Sequence, residues 1–166
     1  MKKMFICLMV MVCLVGMASM VSANSGKAII PQWLSSGTNG TNPYTSVIYI
    51  SNITNEPINV KVTFYEDDGT VLVDGDNNPN TGTLRTHGNF SNYNDNPGKA
   101  SISFTLNANS TVYVNSHTTA KYKGFGTIEW DQDSNAVCGL VAFGRGQYYS
   151  NGWTFYAIPI NNGQPF

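Results

Sequence analysis

The segment from Ile58 to Tyr65 reads INVKVTFY, an unbroken alternation of apolar and polar side chains. Ile58, Val60, Val62 and Phe64 fall on one face of an extended chain. Asn59, Lys61, Thr63 and Tyr65 fall on the other. A strict period of two carried by β-branched residues fits a half-buried strand, not a helix, whose faces repeat every 3.6 residues. Asp67-Asp68-Gly69 then predicts a tight reversal into Val71, Leu72 and Val73.

The same pattern recurs. Ser46 to Ile53 reads as a strand, and Pro57, which cannot donate to a ladder, marks the start of the next one. Ile102, Phe104 and Leu106 alternate with Ser and Thr, and Val112 and Val114 alternate with Thr111, Tyr113 and Asn115. Phe125 to Trp130 and Trp153 to Ile160 read as strands. Ala136 to Phe143, apolar on both faces, reads as a central one. Ala28 to Leu34, interrupted by Pro31, fits a first edge strand. No amphipathic helix follows residue 24, and no linker or repeat divides the chain. The expectation is one all-β domain, an antiparallel β-sandwich of seven to nine strands.

The N-terminus carries a different signal. Lys2 and Lys3 precede an apolar run from Met4 to Val15, and Val21-Ser22-Ala23 places small residues before Asn24. This is the layout of a cleaved secretory leader over 1–23, and the run is too short for a membrane span. Cleavage at Ala23/Asn24 leaves a domain at 24–166, secreted or held at the cell surface, with no stable membrane span. At that length folding hides roughly two-thirds of the chain's surface. Cys7 and Cys13 leave with the leader, so Cys138 stands alone, and its apolar neighbours suggest a small buried hydrophobe.

Losing Lys2 and Lys3 from nine basic residues leaves seven against ten acidic ones, a net charge of −3. Nucleic acids and anionic membranes call for basic clusters, so neither is an expected partner. Asn, Ser, Thr and Gly carry the solubility instead, as in extracellular β proteins.

One segment breaks the regularity. Residues 74–99 are rich in Asn, Gly, Asp and Pro and read as a long polar loop. Within it Asp74, Asp76, Asn78 and Asn80 alternate, and oxygen side chains in that pattern can wrap a calcium ion. The EF-hand pattern fails, because Pro79 stands where Gly is needed and Arg85 where the bidentate Glu belongs. The expectation is a solvated loop without metal or other cofactor. No nucleophile elbow, zinc-protease or phosphate-loop motif is present, and the acids Glu129, Asp131 and Asp133 sit at a strand end and turn. His87 and His117 lack spaced metal-ligating partners.

Aromatic residues gather late, with Tyr148, Tyr149, Trp153 and Tyr156 as candidate ligand-binding residues, and Phe155 among them. Flat apolar rings can stack on the face of a pyranose. Alternation sends Trp153 and Phe155 to one side of the strand and Tyr156 to the other. Asn39, Asn52, Asn89 and Asn109 each begin an N-glycan acceptor triplet.

The segments IIPQW, SVIYISNITNEPINVKVTFYEDDGTVL, FTLNANSTVYVN, GFGTIEW and IPINNGQPF together resemble small secreted bacterial proteins with a single immunoglobulin-like β-sandwich, mostly of unassigned function. The run from Asn52 through Pro57 to Gly69 is also similar to the sensory rhodopsin transducer family, a soluble tetrameric β-sandwich. These resemblances imply an immunoglobulin-like fold and allow a homo-oligomer; they supply no catalytic residues. The resulting reading is a secreted, non-enzymatic domain that binds a surface, matrix or envelope component, polysaccharide or protein. The alternative is a carbohydrate-binding module using the late aromatics, and a secreted enzyme comes third. A planar, exposed aromatic row would favour the carbohydrate reading.

N-terminal sequencing of protein recovered from the culture medium should return Asn24 as the first residue. Recovery of a membrane-held form that retains Met1 would contradict the leader.

Overall fold

The computed structural model describes residues 25–36, 44–74, 76–95, 101–118, 122–132, 138–149 and 152–166. The leader with its Ala23/Asn24 boundary, the Asn39 triplet, residues 96–99 and Asp133 lie outside them. Ten strands form: β1 (Ser25–Ser35), β2 (Tyr44–Asn52), β3 (Ile58–Glu66), β4 (Leu84–Gly88), β5 (Phe90–Asn94), β6 (Ile102–Leu106), β7 (Thr111–Ser116), β8 (Tyr122–Asp131), β9 (Leu140–Tyr149) and β10 (Trp153–Pro159). A 3-10 turn at Asn161–Gly163 follows. The chain is all-β and every strand pairing is antiparallel.

Two five-stranded leaves can be traced. Leaf one runs β10-β9-β2-β7-β4, and leaf two runs β1-β8-β3-β6-β5. A single register point, Ser35 opposite Thr45, joins them where β1 meets β2. At the far edge the chain crosses from β4 to β5 through Gly88 and Asn89, with Gly88 at φ 134°, a conformation that glycine adopts freely. The ten strands therefore form one continuous, barrel-like sheet, where seven to nine strands in two separate sheets were expected.

One side-chain row from each inner face fills the core. Ile48, Ile50, Val112, Val114, Leu140 and Ile158 from leaf one meet Ile30, Ile58, Val60, Val62, Phe64 and Ile128 from leaf two. Trp33 is fully buried, and its Nε1–H donates to the carbonyls of Tyr65 at 2.9 Å and Phe125 at 3.0 Å. It follows the β1 irregularity between Ile30 and Trp33, where Pro31 interrupts the ladder. Gly124 lies so close to the Tyr65 carbonyl that a Cβ there would collide with it.

Three expectations change. The segment 74–99 is not a featureless loop: β4 and β5 form inside it, and Leu84 joins the core at 1% exposure. The wide spacing of its few apolar residues hid two short strands, which need only Leu84 and Phe90 as anchors. Cys138 is exposed, because it precedes β9, and inward packing begins at Gly139 and Leu140. Thr63 lies on the outer face as expected but is buried at 5%, beside the stacked rings of Tyr65 and Phe125 and opposite the equally buried Thr127.

Phe64→Ala should cost roughly 3–5 kcal/mol in urea unfolding, because it empties a site between the leaves against which Trp33 packs. Lys61→Ala, which removes only an exposed ion pair with Glu129, should cost at most about 1 kcal/mol. Equal losses would invalidate the face assignment of β3.

Candidate functional site

The two leaves differ on their outer faces. Leaf two presents Lys27, Glu129 and Lys61 in one cross-strand row, tied by ion pairs of 2.7 and 3.3 Å. Asn59, Asp131 and Thr105 form the next row, linked by side-chain hydrogen bonds. Elsewhere on this face Ile29 is exposed and Phe125 stacks on Tyr65 at 4.8 Å.

Leaf one presents a longer run of rings, spread over all five of its strands. The register places His87, Tyr113, Tyr49 and Phe143 side by side across β4, β7, β2 and β9. Their ring centroids lie 4.9 Å apart for His87 and Tyr113, 5.9 Å for Tyr113 and Tyr49, and 6.4 Å for Tyr49 and Phe143. Two residues along β9, Arg145 lays its guanidinium 5.9 Å from the Tyr49 ring and 5.1 Å from the Phe155 ring. Both distances are within cation–π range. Phe155 stacks nearly parallel to Trp153 at 6.3 Å and 11°, and Trp153 meets Tyr149 at 5.2 Å. Phe143, Trp153 and Phe155 stay 48%, 55% and 54% exposed. The result is a continuous aromatic platform on the outer face of leaf one.

Alternation builds this platform without disturbing the core. Tyr49 lies between buried Ile48 and Ile50, and Tyr113 between buried Val112 and Val114. On β9 the inward positions on either side of Arg145 are Gly144 and Gly146. A side chain at Gly146 would run into the Tyr156 ring, and one at Gly144 would crowd Ile158. Polar groups interleave with the rings: Gln147 accepts a 3.4 Å hydrogen bond from the Arg145 guanidinium, and Asn115 lies between Arg85 and Val47.

The four aromatic candidates divide. Tyr149 and Trp153 are on the platform. Tyr148 stacks on Tyr44 at 4.4 Å on the inner side, and Tyr156 packs against the core, its hydroxyl pushed upward in pKa by burial. Tyr49, Tyr113, Phe143 and Arg145 were missed. The available signal was an aromatic residue standing where alternation calls for a polar one.

The oxygen-rich segment does something else. Asp74 is buried and accepts the backbone N–H groups of Thr83 at 2.7 Å and Leu84 at 3.0 Å, which anchors the start of β4. Asp76 accepts from the Asn78 N–H and the Thr81 hydroxyl, and Asn78 accepts from the Asn80 N–H. The side-chain oxygens of Asp74, Asp76 and Asn78 thus accept from the segment's own donors. No group of three or more metal-ligating side chains gathers among the described residues. Of the glycan acceptor triplets, Asn52 is buried and donates to the carbonyls of Glu56, Leu106 and Asn107, so its amide is not free for attachment.

No family model matches the chain, and no curated protein does. Among solved structures, a Thermotoga maritima protein (1070) is similar at 11% identity and a TM-score of 0.43, over 79% of this chain and 88% of that one.

Asp95 closes the acidic segment. It is 1% exposed, its N–H donates to Asn77, and it accepts the Tyr93 hydroxyl at 3.2 Å. Burial, and then the neighbouring Asp74 carboxylate, push its pKa up to about 7. An unfolded Asp releases its proton near about 4. Between those values the folded state holds the extra proton, so stability from this group falls as pH rises and is lost above the folded pKa. The wild type should therefore lose melting temperature between pH 5 and pH 8. Asp95→Asn, which mimics the protonated carboxyl, should flatten that change; an unaltered pH profile would mean that Asp95 does not carry it.

Proposed function

We propose that this is a secreted, non-enzymatic glycan-binding domain that uses the outer face of leaf one. One observation carries the reading: rings from four neighbouring strands of leaf one line up across its outer face and continue along β10, whereas leaf two presents one stacked pair, Tyr65 and Phe125, beside its ion pairs and amides. A fold that needed only solubility would put Thr or Lys at those positions. Exposed rings cost solubility, and contiguous apolar patches mark interaction sites. Sugar rings suit this face because their apolar C–H side stacks on aromatics while their hydroxyls need interleaved polar partners, here Arg145, Gln147 and Asn115. The rings already hold one another in place, so little freedom is lost on binding.

A secreted address rests on the leader at 1–23. Binding at a matrix, envelope or cell surface then follows from the address and the face together.

The test is affinity electrophoresis and calorimetry against soluble polysaccharides, neutral and acidic. Wild-type protein should bind at least one class. Trp153→Ala and Phe143→Ala should each weaken binding by about tenfold, the scale of one lost aromatic stack. Tyr156→Ala, on the inner side, should affect stability instead. A panel without a binder, or binding untouched by both platform substitutions, would defeat the proposal.

A further inference from the structure

The same face has a charge character of its own. The chain contains two arginines, Arg85 and Arg145, and both stand on the outer face of leaf one. None of the five strands of leaf one contains Asp or Glu. The described lysines Lys27, Lys61 and Lys123 all lie on leaf two and pair with Glu129 and Asp67 there. A chain with more acidic than basic residues has therefore kept acids off one face and placed its arginines on it.

Neither arginine has an ion-pair partner among the described residues. Each also has a buried Nε without a hydrogen-bond partner, as does the Oδ1 of Asn115 between them. Arg85, Asn115, Val47 and Arg145 form one cross-strand row. At the usual strand spacing the two arginines are about 14 Å apart, a span that several sugar rings bridge. The guanidinium of Arg85 also helps hold the neighbouring His117 imidazole below its usual pKa, after burial.

Guanidinium groups pair with carboxylates through two parallel N–H donors, and stacking against a ring leaves those edges open. Resting on the glycan-binding reading above, we infer that the ligand is an acidic polysaccharide whose sugar carboxylates pair with Arg85 and Arg145 while the rings stack on Tyr49, Phe143, Phe155 and Trp153. A uronic acid polymer has this chemistry: apolar ring faces and one carboxylate per residue.

The experiment uses polygalacturonate, its carboxyl-reduced derivative, and polyglutamate, which has the carboxylates without sugar rings. The wild type should bind polygalacturonate at least about tenfold more tightly than either control, the scale of a charge-assisted hydrogen bond. Arg145→Gln and Arg85→Gln should erase most of that preference at unchanged melting temperature, whereas Lys61→Gln on the opposite leaf should not. If Arg145→Gln melts early, Arg85→Gln and the carboxyl-reduced polymer still decide. Equal binding to native and reduced polymer would overturn the carboxylate inference and leave glycan binding standing. Equal binding to polyglutamate would reduce the face to a general anion sink and overturn it as well. No binding to either polysaccharide would overturn it together with the reading on which it rests.

Discussion

A core that takes one row of side chains from every strand is the constraint on which this molecule rests. Because successive residues of a strand point to opposite faces, filling that core fixes half of each strand and leaves the other half unconstrained. Ile58, Val60, Val62 and Phe64 have no alternative neighbours once they are opposed to Ile48, Ile50, Val112 and Val114. The outward rows are then open to other demands, and the two leaves answer differently. Leaf two became a mixed surface of paired charges and amides with one stacked ring pair, Tyr65 and Phe125. Leaf one became a platform of rings and arginines.

Closing the barrel-like sheet places polar groups inside it; several are matched by nearby backbone groups, while Ser116 Oγ, Trp130 Nε1 and Gln132 Oε1 are buried without a hydrogen-bond partner. Asn52 donates to three carbonyls from the turns before β3 and after β6 and accepts the N–H and hydroxyl of Thr54. Trp33 spends its one donor on two carbonyls where β1 bends. Asp74 holds two N–H groups at the start of β4, and burial, then the Asp74 carboxylate beside it, push the pKa of Asp95 up to about 7. β4 is the strand that brings Arg85 and His87 to the platform, so a buried carboxylate on one side of the sheet supports the aromatic face on the other.

The all-β class was legible because period-two alternation is a long signal repeated across the chain. The count of strands was not, since β4 and β5 each place few apolar residues inward and their neighbourhood is dominated by Asn and Gly. Cys138 misled because its neighbours are apolar; two residues ahead of a strand, sequence neighbours say little about which side a residue faces. The aromatic face was half legible. Trp153 and Phe155 announced themselves by clustering, but Tyr148 and Tyr156 clustered equally and turned inward. Tyr49, Tyr113 and Phe143 lie far apart in sequence, and register alone makes them neighbours.

Register also explains why the Gly144-Arg145-Gly146 run matters to the outer face although its glycines point inward. The absent side chains let Ile158 and Tyr156 of β10 pack close over the backbone of β9. That packing holds the edge strand, and with it Trp153 and Phe155, in line with the rings of β2 and β9. Arg145, on the outer face, reaches both Tyr49 and Phe155 and joins the two halves of the platform. An edge strand held only by its ladder would let those halves shift against each other. The inner glycines and the outer arginine are therefore parts of one device: close packing on the core side sets the alignment that the solvent side uses.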